Sequence, residues 1–195
     1  MPNIALRLAT KEDAAAILEI YAPIVNNTAS SFEIEVPALG EMQTRIQSIS
    51  NSYPWLVAEH ESRILGYAYA SQYRQRAGYN WAVETSVYVH PDALRQGLAA
   101  LMYTALFAIL KVQGFFKAYA VITLPNPSSV GLHESFGFRH FATFQSVGYK
   151  LNTWWDVGWW ERVLLPERHA PAQPLWLSAL VGSPQIDAIL QGQAP

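Results

Sequence analysis

Residues 83–113 of this 195-residue chain have the pattern of a β-strand, a glycine-containing turn and an α-helix, and this unit constrains the fold more than any other segment. The strand is 83–90, the turn is 91–99, and the helix makes up the rest. Gly97 and the small residues after it would let an anion reach bare backbone N–H groups at the positive end of the helix, and Arg95 adds a cation. The pattern predicts a phosphate or pyrophosphate site, although a plain turn with a packing glycine would look the same.

The composition is that of a globular protein without a strong charge bias. Hydrophobic residues make up 51% of the chain, charged residues make up 14%, and the formal net charge is −2. This balance gives no electrostatic reason to expect a nucleic-acid partner or an anionic membrane. The chain has no cysteine, which excludes disulfides, thiolate metal sites and a cysteine nucleophile. No histidine or carboxylate spacing indicates a metal site, so we expect no metal.

The apolar segments argue against secretion and membrane insertion. Charged residues interrupt the N-terminal region early, at Arg7, Lys11 and Glu12, so we expect no signal peptide. No uncharged apolar run is long and proline-free enough to span a bilayer. Together with the lack of cysteine, these features predict a cytoplasmic location.

Hydrophobic periodicity predicts an alternation of strands and helices. A capping-box pattern at Thr10 and Asp13 predicts the first helix, and Pro37 is placed to start the second. Asn126 can cap a short helix that ends before Gly137. The predicted strands are 4–8, 54–59, 64–70, 83–90, 119–123, 141–150 and 154–164.

The pattern weakens after residue 165, where four prolines follow within 166–184. We therefore expect one domain at 1–165 and an appended tail at 166–195. The tail contains one short apolar piece that could dock on the domain, Leu175–Val181.

Glu84 is the most unusual residue of the central strand because it places a carboxylate among apolar residues. Burying a charge that has neither a partner nor a function costs free energy. The alternation of the strand puts Glu84 on the same face as Ser86 and Tyr88. It is either a functional carboxylate in a cleft or one half of an ion pair with Arg74 or Arg76.

Five segments resemble, in order, those of phosphinothricin N-acetyltransferases, a branch of the GCN5-related N-acetyltransferase (GNAT) superfamily that includes methionine sulfoximine and sulfone acetyltransferases. They are Tyr53–Glu59, Glu84–Val89, Leu124–Asn126, Leu132–Glu134 and Trp154–Gly158. Five motifs in the same order make coincidence improbable, and the resemblance covers about residues 4–165. It implies the α/β GNAT fold, a mixed, mostly antiparallel sheet of about seven strands flanked by helices, and acetyl-CoA as co-substrate.

The resemblance also implies which residues surround acetyl-CoA. Backbone N–H groups of the turn would bind the pyrophosphate, and the backbone of Val87–Val89 would pair with the pantetheine amides. Asn126 would lie near the cofactor, a role compatible with an N-cap. The cofactor-binding residues are then Val87, Tyr88, Val89, Arg95, Gln96, Gly97, Leu98, Ala99, Ala100 and Asn126. Leu94 departs from the family pattern, which has a polar residue at this point of the turn.

Glu84 and His133 are the catalytic residues that the resemblance implies. Glu84 would take a proton from the substrate ammonium, directly or through water. An α-amino group with a pKa of about 8 is already partly neutral at pH 7, so the reaction does not require a strong base. His133 carries an imidazole that titrates near neutral pH, and would protonate the CoA thiolate or hydrogen-bond the substrate. The alternative is a structural histidine on a helix.

The substrate-binding residues follow from the same resemblance. They are Phe32, Arg74, Arg76, Tyr79, Glu84, Tyr88 and His133. Two guanidiniums suit the carboxylate and the phosphinate of phosphinothricin, but a solvated loop would also carry them. Phe32 would wall the amino-acid pocket or, alternatively, belong to the core. Trp155 stands where many relatives have histidine, and four tryptophans within 154–160 suggest a buried seam or a dimer contact.

The sequence therefore predicts direct acetyl transfer, in a ternary complex, from acetyl-CoA to the α-amine of a small amino-acid analogue such as phosphinothricin, methionine sulfoximine or methionine sulfone. The resemblance and the tryptophans predict a homodimer. Two alternatives remain at this point: an acetyltransferase for a polyamine, an aminoglycoside or a protein N-terminus, and a non-catalytic acyl-CoA sensor. The paired arginines argue against cationic acceptors, and the presence of both Glu84 and His133 argues against a sensor.

Overall fold

The computed structural model describes residues 4–193, which form one open β-sheet with helices packed on both faces. Its strands are β1 (Ala5–Leu8), β2 (Trp55–His60), β3 (Arg63–Gln72), β4 (Ala82–Val89), β5 (Lys117–Leu124), β6 (Arg139–Lys150) and β7 (Thr153–Val163). The α-helices are α1 (Ala14–Asn27), α2 (Leu39–Ser50), α3 (Leu98–Gln113), α4 (Pro127–Ser135) and α5 (Pro184–Leu190). The sheet order is β1-β2-β3-β4-β5-β7-β6, and only β4 and β5 pair in parallel. The predicted mixed, mostly antiparallel sheet is confirmed.

The helices divide the hydrophobic core between the two faces of the sheet. α3 covers one face and buries Met102, Leu106 and Ile109 completely, at the three- and four-residue spacing of one helix face. α1 and α2 cover the other face, where Ile17 and Ile46 are fully buried. No helix within residues 4–193 is long and apolar enough to cross a membrane.

β4 and β5 pair only over their first residues and then diverge. The parallel register joins Ala82–Glu84 to Lys117–Tyr119 and stops there. The outer side of β4 continues to pair with β3, and the outer side of β5 continues to pair with β7. Because strands of a sheet ordinarily bond along their length, the divergence opens a notch between Thr85–Val89 and the second half of β5.

Two predicted helix starts are placed differently by the structure. The capping box at Thr10 and Asp13 is present, but it caps a short 3-10 helix, Lys11–Asp13, which runs into α1 at Ala14. The second helix begins at Leu39, two residues after Pro37, because Ala38 is still extended. Further 3-10 helices lie at Ala77–Tyr79, Pro91–Ala93 and Leu177–Ala179.

The tail docks over more of its length than the sequence pattern predicted. Within Leu175–Val181, only Leu177 is buried, with less than a tenth of its surface exposed. α5 follows and buries Ile186 and Ile189 against α3 and β1. A serine N-cap and a proline at the first helical position mark the start of α5, but its two buried positions are too few to show helical periodicity in the sequence.

Candidate active site

A cavity of about 330 Å3 occupies the notch where β4 and β5 diverge. Its walls are Thr85–Val89 of β4, Val121–Thr123 of β5, Asn126, Ser129 and His133 at α4, Ile24, Thr28 and Ser30 at the end of α1, and Pro91 and Leu94 of the turn. The lining reaches both faces of the sheet, because Ser86 and Tyr88 point to the α1 side and Thr85 and Val87 point to the α3 side. Two larger cavities lie along the tail and contain none of the predicted site residues.

The backbone of β4 presents free polar groups to this cavity. The His90 N–H donates to the Leu65 carbonyl on β3 at 2.8 Å. Because hydrogen-bonding directions alternate along a strand, the N–H and C=O groups of Val87 and Val89 point away from β3, into the notch. An amide-containing chain lying in the notch could therefore pair with β4 as an additional strand.

The turn before α3 presents a second set of free donors. Arg95 and Gly97 both have left-handed backbones, with φ of 61° and 79°. In the described chain, the backbone N–H groups of residues 95–100 make no hydrogen bond. Successive N–H groups in such a turn form a concave anion site, and the positive end of the α3 dipole adds to it. A Cβ placed on Gly97 would have no atom within 4 Å, so the glycine is required by its φ angle and leaves the amides open.

Leu94, which replaces the polar residue of the family pattern, does not affect these amides. The Leu94 side chain is largely exposed and contributes to the cavity rim. Gln96 points its side chain back to the Asp92 carbonyl at 3.1 Å. The anion site is therefore built from the backbone and does not depend on the side chain at position 94.

Glu84 occupies the last position of β4 that pairs with β5, one residue before the cavity wall begins at Thr85, and it does not line the cavity itself. Burial raises the pKa of its carboxyl, and the Arg74 guanidinium partly opposes this increase. Neither Arg74 nor Arg76 forms an ion pair with it, and no hydrogen bond to the carboxylate is present among the residues described. Arg74 instead lies over the Tyr73 ring, 4.5 Å from its centre, and 5.4 Å from the Trp159 ring. The ion-pair alternative for Glu84 is therefore wrong for this structure.

His133 is buried on the α3 side of the cavity, with both ring nitrogens bonded inside the protein. Its Nδ1 lies 2.7 Å from the Ser129 carbonyl, which can only accept, so Nδ1 carries the proton. Its Nε2 lies 2.9 Å from the Tyr103 hydroxyl, which therefore donates to it. Burial lowers the pKa of His133 and favours this neutral form. The imidazole can donate a proton into the cavity only after one of these two bonds breaks.

Asn126 is the N-cap of α4, and its role near the cofactor stays a prediction. Its Oδ1 accepts the Ser129 N–H at 3.1 Å and caps α4. Its side chain also belongs to the cavity wall. Its amide nitrogen has no partner within residues 4–193, and so remains available to a ligand.

Tyr88 lines the cavity, and its ring is held by aromatic packing. The ring lies edge-on to Tyr21, with centroids 5.4 Å apart, and 5.1 Å from Tyr67. Burial raises the pKa of the Tyr88 hydroxyl well above its ordinary value. Its hydroxyl has no hydrogen-bond partner in the part of the chain that the structure describes.

Of the predicted substrate residues, only Tyr88 and His133 line the cavity, and the others, Glu84 included, lie outside it. Phe32 lies across Gly148 of β6, where an added Cβ would overlap its ring, so the glycine is needed for this contact. Arg74, Arg76 and Tyr79 belong to the connection between β3 and β4, on the side of Glu84. Of the predicted site residues, the cavity brings together Val87, Tyr88, Val89, Asn126 and His133. Residues 95–100 and the other substrate-type residues do not line it.

Sequence reasoning missed three polar residues of this site. Tyr103, within α3, is completely buried and bonds His133. Ser129 holds the other ring nitrogen. Thr85 lines the cavity, and its hydroxyl reaches the Tyr119 carbonyl at 3.3 Å. Ser129 lies one helical turn before His133, a spacing that could have indicated the contact.

Comparison with known proteins agrees with this geometry. The sequence profile of the acetyltransferase (GNAT) domain matches residues 6–159. The chain belongs to the GNAT family of acetyltransferases. It is 38% identical to a phosphinothricin N-acetyltransferase of Streptomyces viridochromogenes, over 88% of this chain and 94% of that protein. It is 32% identical to an L-methionine sulfoximine/L-methionine sulfone acetyltransferase of Pseudomonas aeruginosa, over 87% and 99%.

A solved relative carries acetyl-CoA, the co-substrate that the sequence predicted. A phosphinothricin acetyltransferase from Sinorhizobium meliloti, in complex with acetyl-CoA, superposes with a TM-score of 0.81 at 34% identity, covering 88% of this chain and 93% of that one. The expected family, fold and acetyl-CoA dependence are therefore confirmed. Within residues 4–193, no group of three or more histidine and carboxylate side chains is arranged to hold a metal ion.

Proposed function

We propose that this protein acetylates the α-amine of a small amino-acid analogue of the phosphinothricin or methionine sulfoximine type. The observation that carries the proposal is the position of Glu84. It is a desolvated carboxylate without an ion-pair partner, and it lies one residue before the point where β4 begins to line the notch. The lining continues to Leu94, next to the free amides of residues 95–100. The names of the relatives supply the substrate class.

The residues present fit acetyl-CoA at two independent places. The backbone N–H groups of residues 95–100 suit a pyrophosphate, because within the described chain neither a side chain nor a backbone carbonyl accepts from them. The Arg95 side chain adds a positive charge to the same turn. The notch-facing backbone of Val87 and Val89 suits the amides of the pantetheine arm. Acetyl-CoA supplies an acetyl thioester, which these two contacts would place beside β4.

In the proposed reaction, both substrates are bound together and the amine attacks the thioester carbonyl directly. Glu84 takes the proton that converts the substrate ammonium into the neutral amine. Its raised pKa brings it closer to working pH, where a general base is most useful. The carbon–nitrogen bond forms, the carbon–sulfur bond breaks, and the second proton passes from nitrogen to the thiolate through water. The notch-facing N–H groups of β4 stabilise charge on the carbonyl oxygen.

His133 is assigned to the cavity wall as a neutral imidazole held by Tyr103 and Ser129. The two roles implied by the family resemblance, an acid for the thiolate and a ligand for the substrate, both require the ring to give up an internal bond. Since amine and thioester are both reactive, alignment contributes most of the rate, and a rigid wall serves that purpose.

The substrate's acidic groups are assigned to the connection between β3 and β4. Arg74 and Arg76 are exposed cations on the side of Glu84, and no carboxylate of residues 4–193 forms an ion pair with either. Guanidiniums of this kind bind carboxylate and phosphinate oxygens well. Tyr79 packs edge-on against Tyr73, 5.8 Å between centroids, and gives this segment a fixed shape.

The test is an amine panel with acetyl-CoA, read as release of the CoA thiol. The panel contains phosphinothricin, methionine sulfoximine, methionine sulfone, spermidine, an aminoglycoside and a short peptide with a free N-terminus. The proposal predicts turnover with the amino-acid analogues and little with the polycations. Preferred turnover of the peptide or of spermidine would replace the proposed substrate class. Binding of acetyl-CoA without turnover of any amine would favour a sensor.

We also propose that two copies associate through the β6–β7 hairpin. β6 is an edge strand, and the hairpin exposes about half of each of several large apolar side chains. They are Phe141, Phe144, Val147, Tyr149 and Trp154. The tryptophan-rich segment is only partly a buried seam, because Trp160 is buried while Trp154 is 61% exposed. Clustered exposed apolar residues of this kind mark an association surface.

Light scattering tests the association. The proposal predicts a dimer mass for the natural protein and a monomer mass for Val147→Glu. Leu39→Glu is the matched control, because Leu39 is about equally exposed and lies on α2, away from the hairpin. A monomeric natural protein, or a dimer that survives both Val147→Glu and Phe144→Glu, would exclude this surface. The cytoplasmic location stays a prediction from the sequence.

A further inference from the structure

The C-terminal segment 166–193, which we name the C-terminal strap, is tied to three parts of the domain. Gln113 at the end of α3 is 2% exposed, and its amide nitrogen donates to the Leu175 and Ser52 carbonyls, each at 2.8 Å. The Leu175 N–H donates in return to the Gln113 carbonyl. Leu177 and α5 then anchor the strap in the main hydrophobic core. The strap is thus a fixed part of the folded domain.

The strap also reaches the start of β4. The Trp81 indole N–H donates to the Ala172 carbonyl at 2.8 Å. The next strap residue, Gln173, accepts a hydrogen bond from the Asn80 side chain at 3.3 Å. Trp81 is itself fixed, because its carbonyl accepts from the N–H groups of Phe116 and Lys117. Its indole therefore holds the strap in place, and this places Gln173 opposite Asn80.

Asn80 is the last residue but one of the connection between β3 and β4, which carries Arg74, Arg76 and Tyr79. Its backbone N–H closes the 3-10 turn on which Tyr79 lies. The other end of the connection is held by Tyr73, whose ring stacks on Tyr119 with centroids 4.3 Å apart. The connection is therefore held at both ends, by the sheet at Tyr73 and by the strap at Asn80.

We infer that the C-terminal strap is a positioning element for the amine substrate, because it fixes the end of the connection that presents Arg74, Arg76 and Tyr79. This inference rests on the function proposed above. The strap touches neither the cavity of the notch nor the amides of residues 95–100. Its effect is therefore expected on recognition of the amine and not on recognition of acetyl-CoA.

Two variants release the strap from the connection without opening the core. Trp81→Phe keeps an aromatic ring and removes the indole N–H, and Gln173→Ala removes the acceptor for Asn80 at an exposed position. Trp176→Phe is the matched control, because Trp176 is a strap tryptophan that is 61% exposed and makes no hydrogen bond through its indole within residues 4–193.

The readout is the pair of KM values, measured with phosphinothricin and acetyl-CoA. Trp81→Phe is expected to raise KM for the amine about fivefold, the effect of one net hydrogen bond, and Gln173→Ala to raise it in the same direction. KM for acetyl-CoA should stay close to that of the control, and the thermal midpoint of Trp81→Phe should fall by no more than the few degrees expected for one net hydrogen bond. Unchanged amine KM in both variants, or parallel changes in both KM values, would overturn the inference while leaving the proposed function intact.

Hydrogen exchange provides a readout that does not need turnover. Trp81→Phe should speed exchange of the amides of residues 74–80 at least about threefold and leave those of residues 85–89 unchanged, because only the first set depends on the strap. Equal exchange in natural protein and variant would refute the inference even if no amine of the panel were acetylated. An inactive natural protein with the predicted exchange pattern would refute the proposed function alone.

Discussion

Replacing Gly97 by alanine separates the role of the α3 turn in ligand binding from its role in folding. Gly97 has a φ of 79°, and a Cβ added there would meet no atom within 4 Å. The substitution should therefore lower the free energy of unfolding only by the cost of holding an alanine in the left-handed conformation, about 1 kcal/mol. The same methyl group would project into open space from the turn that carries the free amides of residues 95–100, where a phosphate would approach.

The expected loss of acetyl-CoA affinity is larger than the expected loss of stability. A hydrogen bond from an amide to a charged oxygen contributes about 1.5–3 kcal/mol. Loss of one such bond weakens binding about tenfold to a hundredfold. If alanine relaxes to a negative φ, the concave arrangement of amides is lost as well, so both routes weaken the pyrophosphate site.

Gly182→Ala is the control for backbone strain. Gly182 has a φ of 76°, has no atom within 4 Å of an added Cβ, and lies in the C-terminal strap. Both variants should lose a similar free energy of unfolding in urea, while only Gly97→Ala should lose affinity for acetyl-CoA in isothermal titration calorimetry. Equal affinity of the two variants would refute a pyrophosphate site at the α3 turn.

Three further predictions concern the buried polar groups. Glu84→Gln should be more stable than the natural protein at pH 8 and equally stable near pH 4, which urea titrations at both pH values would detect. The reason is the raised pKa of Glu84, because of which the natural fold loses stability as the pH rises above the ordinary value of 4.5. In His133→Gln, the free energy of unfolding should fall less steeply as the pH drops below 6.5. The lowered pKa of His133 means that the unfolded chain binds a proton at a higher pH than the folded protein does; an unchanged slope would contradict this. Tyr103→Phe should cost about 1–3 kcal/mol in urea unfolding, since it leaves the His133 Nε2 unpaired, and a loss near zero would contradict the assigned bond.

The sequence predicted the parts of the site that are built from the backbone. Gly97, the helix after it and the strand before it are local signals, and the structure places all of them as expected. Asn126 was predictable as an N-cap for the same reason. The unusual carboxylate of Glu84 was visible because it interrupts an apolar strand. Local conformation and a misplaced charge are properties that a single sequence can reveal.

The contacts between distant side chains could not be predicted. The bond between Tyr103 and His133 joins α3 to α4, and nothing in either helix pattern distinguishes it from ordinary packing. The choice of Arg74 between Glu84 and the Tyr73 ring depends on how the β3–β4 connection folds. The docking of α5 was hidden because its buried surface consists of two isoleucines in a proline-rich tail.

The most direct test of the account is the turnover of Glu84→Gln at saturating acetyl-CoA and phosphinothricin, measured with the affinity for acetyl-CoA on the same sample. Glutamine keeps the shape of the side chain and removes the base. The account predicts a loss of turnover of about tenfold at pH 7, because about a tenth of an α-amine is neutral there without a base, with acetyl-CoA affinity nearly unchanged. The loss should shrink as the pH rises. Turnover equal to that of the natural protein would show that this carboxylate takes no proton in the reaction and would contradict the central claim.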